Sequence, residues 1–270
     1  MALVMIAKEW KEFYRSSLLV ITAVLIVVSA WFVLFQYGVM EVPVALRTGI
    51  VSVFQTSVYF LPLIATVYGA FSMAMEKNRR TLPIVLARGI TFQQFVLRKF
   101  ISLFAIFLPT IMIAYIIAMI PAKTVFGSLT VKEFAVFLFS IMVLAAIFMA
   151  IGLLLGSVIS EKLTLIGLII GIWLTFIYLI DLLLMYWLPS VAMDDVLAFS
   201  IVYFLSPIHA VQYFLFVQLD VYRLSDLSAL YEQFTFQSPW LVLIFNAVLW
   251  IGLAIGLSIY LLKRKDVSHD

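Results

Sequence analysis

The stretch "VLAFSIVYFLSPIHAVQYFLFVQL", residues 196–219, decides how many times this chain crosses a membrane. A helix of about 20 apolar residues spans a bilayer core, so the segment is long enough for one crossing. Its centre, however, is broken by Ser206-Pro207 and carries His209. Proline gives up a backbone donor and disfavours helix at the residue before it. Two readings follow: a seventh span, or two short helices hinged near Ser206-Pro207 that dip in and return. The charges on either side arbitrate. A seventh crossing places Lys263-Arg264-Lys265 on the face opposite the other basic clusters, against the positive-inside rule. The hinged pair is therefore the expectation, as a re-entrant or interfacial lid over the outer end of a bundle. Non-helical backbone at that depth requires cover by protein or water.

Outward from this segment the chain reads as an all-α membrane protein. Of its 270 residues, 66% are hydrophobic and only 11% charged, where a soluble domain is nearer half apolar and a quarter charged. Continuous apolar runs predict six transmembrane helices at about 17–37, 50–75, 100–120, 133–158, 164–188 and 239–262, in a single transmembrane domain over 1–270. Their continuity suits helices, not the alternating strands of a barrel. With the N-terminus in the cytoplasm, 13 of the 17 Lys and Arg residues fall on the inner side. The expected topology is multi-pass in the cell membrane with both termini cytoplasmic. The first apolar run follows a leader containing Glu9 and Glu12 without a convincing cleavage site, which reads as a retained helix.

Within that leader, "MIAKEWKEFYR" (5–15) gathers Ile6, Trp10, Phe13 and Tyr14 on one helical face, with Lys8, Glu9, Lys11, Glu12 and Arg15 mostly elsewhere. Such a helix lies along the headgroup plane. It serves either as an anchor before the first span or as an elbow that also touches a cytoplasmic partner.

Two spans carry polar stripes. In the second, Ser52, Gln55, Tyr59, Pro62, Thr66, Gly69 and Met73 follow helical spacing along one face. In the fifth, Thr164, Gly167, Gly171, Thr175, Tyr178 and Asp181 do the same. Polar side chains avoid lipid, so these faces turn inward or toward water. They are either interhelical glue, at about 0.6 kcal/mol per hydrogen bond, or the lining of a pathway. The pathway candidates are Gln55, Tyr59, Thr66, Thr175, Tyr178 and Asp181. Asp181, an ionisable residue well within a span, needs a partner, water or the interface. Three G-x-x-x-G pairs, Gly152/Gly156, Gly167/Gly171 and Gly252/Gly256, permit close helix approach within or between subunits.

Residues 76–99, "EKNRRTLPIVLARGITFQQFVLRK", lie between spans two and three with six basic residues and one acid. The positive-inside rule explains the charge but not "TLPIVLA". Thr81 suits an N-cap, Pro83 a first turn and Gly89 a stop. Leu82, Val85 and Leu86 then share one face. A polybasic contact with anionic lipid is the competing account, yet it asks for no apolar ridge. "TFQQFVLRK" reads as a second amphipathic segment, capped by Thr91, leading into span three.

This stretch resembles the type-two ATP-binding-cassette export permease family. There, an acidic residue after span two precedes a basic residue, a Thr-Leu pair, an apolar helix, a break, and a basic residue leading into span three. Glu76, Arg79, Thr81-Leu82, Leu86, Gly89-Ile90-Thr91 and Lys99 occupy those places. The family's glycine before the threonine is Arg80 here, and its usual proline at the break is Gly89 or Ile90. The interfacial start, six spans and broken segment before the last span extend the resemblance over most of the chain. It implies a subunit of an exporter, working as a homodimer with a separate ATPase that holds ATP and Mg. Glu76, Arg79, Arg80, Thr81, Leu82, Val85, Leu86 and Arg88 would form a coupling helix in a groove of that ATPase. Ile6, Trp10, Lys11, Phe13 and Tyr14 would flank it as the elbow. Membrane lipid is the other expected partner; nucleic acid is not one.

The sequence contains no G-x-x-x-x-G-K-[ST], H-E-x-x-H or G-x-S-x-G, so no catalytic role, cofactor or metal site is assigned to this chain. The alternative is a secondary transporter driven by an ion gradient. That class favours repeated halves and charged, broken helices at the midplane; no convincing repeat is visible. An intramembrane enzyme lacks its catalytic residues.

Overall fold

The structure, a computed structural model, describes residues 10, 17–37, 44–78, 89–126, 130–190, 196–221 and 238–267. No strand occurs among them. Six helical segments are long and apolar enough to cross a membrane: α1 (Leu18–Tyr37), α2 (Val44–Asn78), α3 (Phe92–Phe126), α4 (Val131–Val158), a fifth span built from α5 (Lys162–Leu174) and α6 (Ile180–Trp187), and α9 (Pro239–Val267). The six predicted spans are all present. Several helices outrun their apolar runs: α2 starts at Val44, and α3 absorbs "FQQFVLRK" into one continuous helix. Thr91 caps α3 as expected, its Oγ1 accepting from the Gln94 N–H at 3.3 Å. The preceding Gly89 has φ +76°, the left-handed conformation that glycine adopts without a Cβ penalty.

α4 is the hub. In its most apolar stretch 61% of residues are buried, against 22% in the fifth span. The reason is legible in its small residues. A Cβ added at Gly152 would run into the Thr66 carbonyl, and one at Gly156 into that of Ala70; Gly69 of α2 stands in the same relation to Met149 of α4. The backbones of α2 and α4 therefore touch, as small-xxx-small spacing allows. By contrast, Gly167, Gly171, Gly252 and Gly256 have nothing within 4 Å of such an atom. Of the three glycine pairs, one knits the bundle and two face outward.

The segment that opened the sequence question forms α7 (Val196–Leu205) and α8 (Pro207–Gln218), bent by 103°. Ser206 is extended (φ −67°, ψ 124°) and Pro207 begins α8, where its missing N–H costs nothing. The bend strands carbonyls at the end of α7. α9 supplies their donors: Asn246 Nδ2 reaches Phe204 O at 2.7 Å, and Trp250 Nε1 reaches Leu205 O at 2.8 Å. The hinge is thus covered by protein, as backbone at depth requires. α7 starts beside Trp187, whose ring stacks obliquely on Phe199 at 5.6 Å. At the end of α8, Gln218 and the following Leu219 and Asp220 share a cavity with Arg47 and Glu133. The pair thus begins and ends at one end of the bundle.

That end, carrying the starts of α2, α4 and α9 and the end of α6, is called here the far end. The near end carries Asn78, Phe92, Val158 and Lys162.

Candidate functional site

Two regions gather the polar side chains that an apolar bundle must place with care. At the near end, three consecutive residues fasten the last turn of α2. Glu76 Oε1 accepts from Lys99 Nζ of α3 at 3.1 Å, with both side chains almost wholly buried. Lys77 Nζ donates to the Ser157 carbonyl at 2.8 Å, and Asn78 Nδ2 to that of Ser160 at 3.1 Å. Ser157 and Ser160 sit where α4 ends and the chain turns into α5, so their carbonyls lack helical donors. The stem leading into residues 79–88 is therefore tied to α3 and to the α4–α5 turn. Arg79, Arg80, Thr81, Leu82, Val85, Leu86 and Arg88 lie outside the described residues, as do Ile6, Lys11, Phe13 and Tyr14 of the interfacial start. Trp10 is helical and exposed.

The role of Lys99 beside Glu76 was only half legible. Both were visible as charges of the basic stretch, but 23 residues separate them. Only a helical hairpin returning to the same depth brings them together.

At the far end lies a cavity of about 380 Å³. α1 contributes Val33 and Gln36; α2 gives Ser52, Gln55, Thr56, Val58 and Tyr59; the fifth span gives Phe176, Ile177 and Asp181; α8 gives Ile208 and Gln212. Gln55, Tyr59 and Asp181 of the sequence-predicted pathway set meet here. Thr66 does not: it is 1% exposed, packs where α2 meets Gly152, and donates back to Pro62 O at 2.7 Å. The polar stripe of α2 therefore divides, its first half against the cavity and its second half against α4.

Thr175 and Tyr178 also fall outside the cavity wall. Thr175 donates back to Gly171 O at 2.9 Å, and Tyr178 is exposed. The stripe already faces outward at Gly167 and Gly171, and a π-helical turn at Thr175–Leu179, closed by the Ile180 N–H bonding to Thr175 O, five residues back, changes the register beyond it. One extra residue per turn slides the stripe. Phe176 and Asp181, five apart, come to the same side where α-helical spacing pointed to Thr175 and Tyr178. Turns of this kind cluster at functional sites, and no spacing rule applied to "TFIYL" anticipates one.

Asp181 is held by a residue that sequence reading did not place near it. His209 Nε2 lies 2.8 Å from Asp181 Oδ1. The imidazole is buried and stacks on Tyr203 at 4.4 Å, whereas Asp181 is half exposed. The hinge at Ser206-Pro207 sets His209 on the first turn of α8, facing the fifth span. A further tie comes from Trp173 Nε1, which donates to Tyr59 O at 2.7 Å. Pro62 has no N–H for the Val58 carbonyl four residues back, and the indole of the fifth span adds a donor one residue along. At the rim, Arg47 Nε pairs with Glu133 Oε1 at 2.8 Å, and the Glu133 N–H bonds to Thr130 Oγ1 at 3.3 Å. A second groove of about 450 Å³, between α7 and α9, is lined mainly by Ile201, Phe204, Leu205, Leu241, Val242 and Phe245, with no ionisable residue among the described ones.

The described residues thus place a polar cavity at one end and, at the other, a clamped stem leading to a basic segment. A search of curated proteins finds no match. The family described as ABC-2 family transporter protein, in contrast, matches residues 3–267, ending in the last turn of α9. On that match, which runs nearly the whole chain, this multi-pass membrane protein belongs to the ABC-2 transporter family as a permease component.

Proposed function

We propose that the chain is the membrane-spanning half of an ATP-driven exporter, acting as a pair of identical subunits with two copies of a separate ATPase. Permeases of this family are membrane components without ATPase activity of their own, and the family implies an ATP-binding-cassette partner. In this reading the near end is cytoplasmic, both termini lie there, and ATP and Mg belong to the partner. The Leu82, Val85 and Leu86 ridge, framed by Arg79, Arg80, Thr81 and Arg88, docks into the ATPase. Glu76 stands at the root of that ridge, and the Ile6–Tyr14 helix flanks it.

The observation that carries this reading is the fastened stem. A helix that transmits force needs a root that does not slide. Glu76, Lys77 and Asn78 tie that root to α3, α4 and the α4–α5 turn by three bonds in three successive residues. Movement of the 79–88 segment would be passed to the hub helix and to the fifth span, and so to the cavity at the far end. Coupling of this kind requires a discrete element whose two arrangements the nucleotide state biases. The outward-facing Gly167/Gly171 and Gly252/Gly256 pairs leave small-residue seams for a second copy. A gradient-driven carrier is not favoured by the family match.

The test is co-purification with the ATPase and measurement of ATP hydrolysis by the complex. Leu86→Asp is expected to abolish stimulated hydrolysis while the bundle stays folded. Full coupling in that variant removes the docking role. The native chain contains no cysteine, so Gln55→Cys and Tyr59→Cys report cleanly on the pathway. Both are expected to react with a water-soluble thiol reagent in at least one nucleotide state.

A further inference from the structure

We propose that the far-end cavity is a binding site for a small organic cation, with Asp181 as its counter-charge and the amides of Gln36, Gln55 and Gln212 as hydrogen-bonding wall. This names a ligand class for the pathway of the preceding section and rests on that reading for its role in transport.

The argument begins with the charges. Among the described residues, Asp181 is the one carboxylate on the cavity wall, and the phenol of Tyr59 the one other ionisable group. The charged residues described nearby, Arg47, Lys132, Glu133 and Asp220, line a separate cavity, and Arg47 is engaged by Glu133 at 2.8 Å. Among the described residues, no Lys or Arg lines the cavity beside Asp181.

His209 engages one oxygen of Asp181: Nε2 lies 2.8 Å from Oδ1, while Nδ1 is buried and has no hydrogen-bond partner among the described residues. It thus orients a carboxylate that is half exposed and still lines the cavity. The stack on Tyr203 fixes the ring from behind.

The remaining wall selects among cations. A metal ion would need several oxygen ligands at close range, and among the described residues the wall offers one carboxylate. The amides supply donors and acceptors suited to an ammonium head. Val33, Val58, Ile177 and Ile208, with the rings of Tyr59 and Phe176, offer an apolar and aromatic surface to an organic body, and aromatic faces attract cations. The volume, about 380 Å³, lies in the small-molecule range of about 300–1,000 Å³. The π turn that brings Phe176 and Asp181 to one side is the local device that joins head-group and body recognition.

The experiment uses the full chain with its ATPase in nanodiscs of zwitterionic lipid. Binding of radiolabelled benzylammonium is compared with that of benzyl alcohol, which matches its body but carries no charge. Benzylammonium should bind saturably, at one site per chain, with the alcohol at least about tenfold weaker. Asp181→Asn should weaken the cation about tenfold or more, and Gln55→Leu a few-fold. Equal affinity for alcohol and ammonium in the wild-type protein overturns the proposal without any variant, as does the absence of saturable benzylammonium binding. An unchanged affinity in a folded Asp181→Asn protein overturns it as well. The two readings separate on the cysteine probes. Labelled Gln55→Cys and Tyr59→Cys without cation binding refute the ligand class and keep the pathway. Protection of both in every nucleotide state, with Asp181-dependent binding intact, keeps the cation site and removes the pathway.

Discussion

The two halves of α2's polar face make the most informative comparison in the molecule. Ser52, Gln55 and Tyr59 belong to the same stripe as Thr66, Gly69 and Met73, at unbroken helical spacing. The first three border a cavity; the last three are buried against α4. The difference lies not in α2 but in what faces it. Toward the near end α4 presents Gly152 and Gly156, and backbone meets backbone. Toward the far end the neighbours include α8 and the π-turn region of the fifth span, whose bulkier and polar side chains hold a space open. A polar stripe in a membrane helix is therefore not one feature. Glue and lining are assigned by the partner helix, turn by turn.

The sharpest way to break this comparison is to remove the close contact. Gly152→Leu would force the α2 and α4 backbones apart, and no side chain can yield in their place; it is expected to abolish recovery of monodisperse protein. Gly252→Leu, on an open surface, should leave solubility and thermal stability of the isolated chain nearly unchanged. Equal tolerance of both would show that the packed half of the stripe is not packed by necessity.

Next in size is the near-end ion pair. Glu76→Gln leaves Lys99 buried without that carboxylate and should cost about 3–5 kcal/mol. The Glu76→Gln, Lys99→Met double variant should recover much of it, because a buried pair contributes little net stability once desolvation is counted. Unfolding in mixed micelles measures both. A smaller effect is expected where α2 meets α3. Tyr115 donates to Ser57 Oγ at 2.6 Å, and Ser57 in turn donates to Val53 O. Tyr115→Phe removes the first bond and keeps the second, a loss of about 1 kcal/mol.

At the bottom of the scale stands the cavity half of the stripe. Gln55→Leu should change stability by less than about 0.5 kcal/mol, as for an exposed substitution away from packing contacts, while altering ligand binding. A large loss of stability there would mean that Gln55 is glue after all, and the contrast between the two halves would dissolve.

Six spans, the hinge at Ser206-Pro207 and the cap at Thr91 were all legible, because each follows from a local property: apolar run length, a missing donor, a side-chain oxygen at the start of a helix. The candidate site was legible in part. Gln55, Tyr59 and Asp181 came from polarity at membrane depth. Thr66, Thr175 and Tyr178 came from the same rule and ended elsewhere, since periodicity names a face without naming what covers it. His209, Gln36 and Gln212 were missed because their meeting depends on where α1 and α8 come to rest. His209 did stand out as an oddity in an apolar segment, and that was the available signal.

What the chain dictated alone is its confinement to the membrane, the number and nature of its crossings, and the uneven placement of its basic residues, for these reflect the free energy of single segments in lipid or water. What the tertiary structure decided is which of three glycine pairs becomes a seam, which half of a polar stripe meets a cavity, and which histidine holds Asp181. Those outcomes depend on contacts between segments far apart in sequence, and on a π turn whose extra residue resets the register of everything after it.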